Sequence, residues 1–166
     1  KGNPKGSCLS VSANREDLES LNEEAAALLD QGRLEESAEV LERVILILEQ
    51  PQTADADQLI DALGKLGALY FGLQDYSKTI SVYSRLVVTL DTKFGMDHVE
   101  TIKAVYKLAK SCEKAGQREQ AQTMYYIAKE SALKTLPEEN YLRQSITGSY
   151  QTISKPKRVA ESVKTF

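Results

Sequence analysis

The chain has 166 residues, enough for one domain with a continuous core, and 42% hydrophobic with 27% charged residues is an ordinary globular composition. No apolar run approaches the ~20 residues that span a bilayer, and the start of the chain lacks the apolar stretch of a secretory signal. Cys8 and Cys112 show neither a metal-ligand spacing nor a disulfide framework, so a reducing, cytoplasmic setting is expected.

Four Pro, nine Gly and no Trp, among abundant Leu, Ala, Glu, Lys and Gln, favour helix. Residues 1–14 read as a disordered tail rich in Gly, Ser and Lys. Three segments then align without gaps: Leu21 to Val44, Leu63 to Leu86 and Val105 to Ala128, with starts 42 residues apart. Each begins on an apolar residue (Leu21, Leu63, Val105), with a small one four places on (Ala25, Gly67, Ala109). A larger apolar or sulfur-bearing residue follows (Leu28, Tyr70, Cys112), then a short polar turn. The second half carries a small residue (Ser37, Thr79, Ala121), a bulky one (Leu41, Tyr83, Tyr125) and an apolar one (Val44, Leu86, Ala128). Spacings of three and four put each set on one helix face, and small opposite bulky is what close helix packing requires.

Six helices follow, at about 15–31, 34–50, 55–73, 76–94, 97–115 and 118–136. Gly32 and Gly116 suit helix ends. Asp55 and Asp57 suit the third start, and Asp97 with Glu100 has capping-box spacing at the fifth. Pro137 suits the first position of a seventh helix, 137–153, whose Tyr141, Leu142, Ile146 and Tyr150 form an apolar stripe. That helix is read as a cap over the last repeat. Residues 154–166 read as a disordered basic tail.

The run Leu66-Gly67, Tyr70, Thr79, Tyr83 and Leu86 resembles the tetratricopeptide (TPR) signature, and Ala121, Tyr125 and Ala128 match its second-helix positions. The 42-residue period, with the run Phe94 to Thr101 between repeats, is similar to the kinesin-light-chain subtype, although Val99 stands where that subtype carries Pro. The first repeat departs furthest, with Glu24 in the place of Leu66 and Leu108. The resemblance implies an all-α, right-handed α-solenoid of three helix–turn–helix repeats (about 15–54, 55–96 and 97–136) plus a C-terminal capping helix. It also implies that the first helix of each repeat lines a concave groove.

Nothing points to catalysis, a cofactor or a metal. His98, the sole histidine, falls at a helix start where the resemblance gives it a structural role. Cys112 falls on a packing face, as do Tyr70, Tyr83 and Tyr125. Glu35, Glu36, Glu39 and Glu42 read as a solvated face. Residues 1–100 carry 18 Asp/Glu against 9 Lys/Arg, and residues 101–166 carry 12 Lys/Arg against 6 Asp/Glu. Lys103, Lys107, Lys110 and Lys114 share one side of the fifth helix. By alignment, groove positions there are Lys103, Tyr106 and Lys110, with Lys107 and Lys114 toward the edge. The second helix pair places Asp61, Gly64 and Ala68 there, with Phe71 nearby, and the first places Glu19, Asn22 and Ala26.

The expected function is therefore a non-enzymatic scaffold that binds a protein or peptide in the groove, one with an acidic segment or a free C-terminal carboxylate. The alternative is a structural or oligomerisation module associating end to end through its acidic and basic ends. Neither a nucleic-acid nor a membrane partner is expected: the basic half has no stacking platform, and the acidic half repels phosphate.

Overall fold

The computed structural model describes residues 6–51 and 53–155, with side chains from Asp17 onward. Seven helices follow one another: α1 Gly6–Asp30, α2 Leu34–Leu48, α3 Ala56–Gly72, α4 Tyr76–Phe94, α5 Val99–Lys114, α6 Arg118–Thr135 and α7 Tyr141–Ser154. No strand occurs among the described residues. Each helix packs on the next in chain order. The pairs α1/α2, α3/α4 and α5/α6 are three hairpins, and α7 covers the last. This is the expected all-α stack.

The register of 42 residues governs the core. Ala25, Gly67 and Ala109 are buried, and so are Leu41, Tyr83 and Tyr125 on the second helices. Close approach is visible in two hairpins. In the first, the Ser37 hydroxyl donates across to the Ala25 carbonyl at 2.9 Å. In the second, a Cβ on Gly67 would meet Tyr83 Cε1 at 2.8 Å, so only glycine leaves room for that ring. Ala109 coexists with Tyr125, whose hydroxyl donates to Glu113 Oε2 at 2.6 Å. The residue one period before Glu113 is Phe71, so Tyr83 has no such anchor. Tyr70 instead donates to Glu42 of the preceding hairpin, tying α3 to α2.

The hairpin turns repeat too. Gly32 (φ 73°), Gln74 (φ 60°) and Gly116 (φ 77°) occupy one left-handed position at intervals of 42 residues. Asp55 caps α3 by accepting from the amides of Asp57 and Gln58, and Asp75 caps α4 by accepting from that of Lys78.

Three expectations need correction. First, α1 starts at Gly6 and not near 15, because no Pro or Gly interrupts the chain between Gly6 and Gly32. The backbone of residues 6–14, read as a tail, is therefore helix. Residues 1–5 of that tail, and 156–166 of the C-terminal one, lie outside the described residues. Second, α5 is capped by His98 and not Asp97: His98 Nδ1 accepts from the Glu100 amide at 3.3 Å, and the imidazole stacks on Phe94 at 4.6 Å. Third, α7 starts at Tyr141, not Pro137. Pro137 opens a turn closed by the Asn140 amide, and the Asn140 side chain then caps the helix through the amides of Leu142 and Arg143. Asn140 lies 42 residues after His98, so the cap keeps the period. Tyr141 also leaves the expected apolar stripe, being 83% exposed, and Ile153 joins Ile146 as the buried anchor of α7. Arg118 donates to the carbonyls of Ile153 and Lys155 and fastens the far end of that helix.

Of the three left-handed turn positions, only the one at Gln74 bears the strain of a side chain. Gln74→Gly should raise stability by ~1 kcal/mol, read as a higher urea midpoint with unchanged slope. An unchanged or lower midpoint contradicts this. Separately, burial first, then the carboxylates beside two of them, push Tyr70, Tyr83 and Tyr125 above their ordinary 10.0. The unfolded chain gives up these protons earlier, so their stabilising contribution is complete below about pH 10 and is lost as pH rises past it. Stability should fall as pH rises above about 10, and less steeply in Tyr125→Phe. Equal slopes in the two proteins contradict the assignment.

Candidate functional site

The first helices α1, α3 and α5 present the same pattern of exposure at corresponding positions. Glu19, Asp61 and Lys103 are exposed; Asn22, Gly64 and Tyr106 are half-buried; Glu23, Lys65 and Lys107 are exposed; Ala26, Ala68 and Lys110 are exposed. One continuous face therefore changes sign along the stack. It is acidic on α1, balanced on α3 and basic on α5.

Between α3 and α5 this face opens into a cleft of about 370 Å³. Asp61, Gly64, Lys65 and Ala68 form one wall, and Lys103 and Lys107 form the other. Leu86 and Leu90 of α4 form the floor. Nothing lies within 4 Å of where a Cβ on Gly64 would be, so the space beside it is open. The same face continues onto α7, where Ser149 Oγ lies 3.2 Å from the Tyr106 hydroxyl.

The lysines differ in what they face. Lys103 pairs with Glu100 at 2.7 Å, and Lys65 with Asp61 at 2.7 Å. Such exposed pairs contribute little to stability, but they offset each other's charge. Lys107 Nζ stands 5.7 Å from the Tyr83 ring, and Lys110 Nζ 5.5 Å from the Tyr106 ring. Among the described residues, Lys107, Lys110 and Lys114 enter no ion pair. Lys114 ends α5, where a cation also favours the helix dipole.

The other expected positions divide. Tyr106 joins the basic face through Ser149 and Lys110. Asn22 sits on α1 at the place of Gly64, with its amide donating back to the Leu18 carbonyl at 2.8 Å. Phe71 does not line the cleft: it packs edge-on against Tyr76, 5.7 Å between ring centres, in the turn from α3 to α4. Sequence reasoning missed Lys65 and Ser149. It also missed that Glu100 neutralises Lys103, although the three-residue spacing on a helix carried that signal.

Outside this face, Cys112 is 2% exposed, and burial raises its thiol pKa, as suits an inert packing group. Among the described residues no three or more His, Cys, Asp or Glu side chains gather as metal ligands. No described helix is long and apolar enough to cross a membrane. A second cleft, of about 420 Å³, lies on the first hairpin beside Glu24, Gln31, Glu36 and Glu39. At the first two places the second repeat carries Leu66 and Leu73, which pack into the stack.

No family model and no curated protein matches the chain. Solved structures do. Two crystal structures of Podosopora anserina kinesin light chain nearly identical TPR-like repeats are 18% identical, with TM-scores of 0.67 and 0.65, over 82% of this chain and 64% of theirs. BtubC (BKLC) from P. vanneervenii is 12% identical, with a TM-score of 0.65, over 90% of this chain and 66% of its own. The chain thus spans less than two thirds of each, and at such identities the likeness is one of fold. Three hairpins at a 42-residue register with a seventh helix over the last, superposing on those repeats, give this chain the fold of a TPR-like helical-repeat solenoid.

Proposed function

We propose that the chain is a protein-interaction scaffold whose concave face holds a peptide segment bearing acidic side chains or a free carboxylate. The observation that carries this is the pair Lys107 and Lys110. Both are exposed, both are without a carboxylate partner among the described residues, and Lys107 edges an open cleft. A carboxylate meeting an ammonium above the apolar floor of Leu86 and Leu90 gains a charge-assisted hydrogen bond. Tyr106, with Ser149 beside it, adds hydroxyl donors on the same face. The TPR-like fold supports a scaffold in general, and the choice of ligand rests on this local chemistry.

The alternative is end-to-end association through the acidic and basic ends. Apolar stacking adds nothing to it. At the places of Leu66 and Leu73 the first repeat presents Glu24 and Gln31. On α7, Thr147, Gln151 and Ser154 stand where α5 has Val105, Ala109 and Cys112.

The test is binding of a fluorescent, glutamate-rich peptide with a free C-terminus. Lys107→Glu with Lys110→Glu should weaken it at least ~10-fold and flatten its salt dependence. Both sites are exposed, so the unfolding free energy from urea titration should stay within ~0.5 kcal/mol of the parent. Lys103→Gln should weaken binding less, because Glu100 already meets that charge. Unchanged affinity in the double variant, or a larger loss at Lys103 alone, refutes the assignment.

A further inference from the structure

The basic row on α5 is one end of a longer pattern. On the same face α1 shows Glu19, Glu23 and Asp30, all exposed. On α3 the charges cancel within the helix, through Lys65 and Asp61 at 2.7 Å. Small residues hold the middle of the groove on α3, Gly64 and Ala68. A ligand carrying acidic groups alone satisfies one end and is repelled by the other. Exposed charges about 20 Å apart are screened from each other at physiological salt, so each end selects its own counterpart.

We infer that the groove takes a charge-segregated polypeptide, with a basic stretch over α1 and an acidic stretch over α5, joined by small or apolar residues over α3. This rests on the reading of the concave face as a peptide groove and adds the chemistry of its other end. The spacing follows from the stack. Packed helices lie ~10 Å apart, and α2 and α4 join each first helix to the next, so the α1 and α5 rows lie at least roughly 20 Å apart. An extended chain covers that distance in about six residues. The occupant therefore has two blocks of opposite charge about six residues apart. Either chain direction satisfies this, because side chains alone are read.

Three synthetic peptides of equal length test it on the whole chain. One has three lysines and three aspartates in blocks separated by six neutral residues. The second has the same composition with the charges alternating. The third has the aspartate block alone. The blocked peptide should bind about tenfold more tightly than either other at low salt, since exposed pairs contribute little singly and add up over a block. Glu19→Lys with Glu23→Lys should remove that preference and favour instead a peptide with aspartates at both ends. Equal binding of blocked and alternating peptides, with the aspartate block still lost in Lys107→Glu/Lys110→Glu, overturns the inference and leaves the groove reading standing. Failure of all three peptides overturns the groove reading itself. A salt-sensitive dimer in sedimentation that excludes the blocked peptide also overturns the inference, and assigns the face to a second copy of the chain.

Discussion

The structure depends on the close approach of the two helices of each hairpin, set by a small residue on one and a bulky residue on the other. Gly67 and Tyr83 show the constraint most sharply: the ring occupies the space a methyl group would take. In the first repeat these places hold Ala25 and Leu41, and in the third Ala109 and Tyr125. Because the pairing recurs every 42 residues, each hairpin presents its faces in the same orientation. The left-handed turn residue and the helix caps inherit the same register.

A fixed register turns sequence differences into a surface pattern. Each groove position is offered once per repeat, so Glu19, Asp61 and Lys103 mark three points along one line. Inward-facing places stay apolar in the middle of the stack and become polar at its edges, as Glu24 and Gln151 do. Charge on the groove is free to vary because it adds little to folding. The gradient along this face accordingly carries little of the folding free energy.

How much of this could be read beforehand follows from the same physics. The hairpins and the core positions were legible, because burial imposes a period that survives in one sequence. Exact helix starts were not. His98 and Asp97 are neighbours, and only coordinates show that the imidazole takes the cap. Pro137 suits a first helical turn in isolation, yet Asn140 offers a better acceptor three residues later. At the site, the lysine row was visible, but its division was not. Lys103 is met by Glu100, Lys107 edges the cleft, and Phe71 turns toward Tyr76, because each outcome depends on neighbours from another turn or another helix.

A double-mutant cycle on Gly67 and Tyr83 measures the central constraint directly. Tyr83→Leu gives the second repeat the bulky residue found in the first. Gly67→Ala should cost ~1–3 kcal/mol in the parent chain through overpacking. In the Tyr83→Leu background it should cost nothing, or gain by the helix preference of alanine, with a coupling above ~1 kcal/mol. An equal cost of Gly67→Ala in both backgrounds would contradict the account.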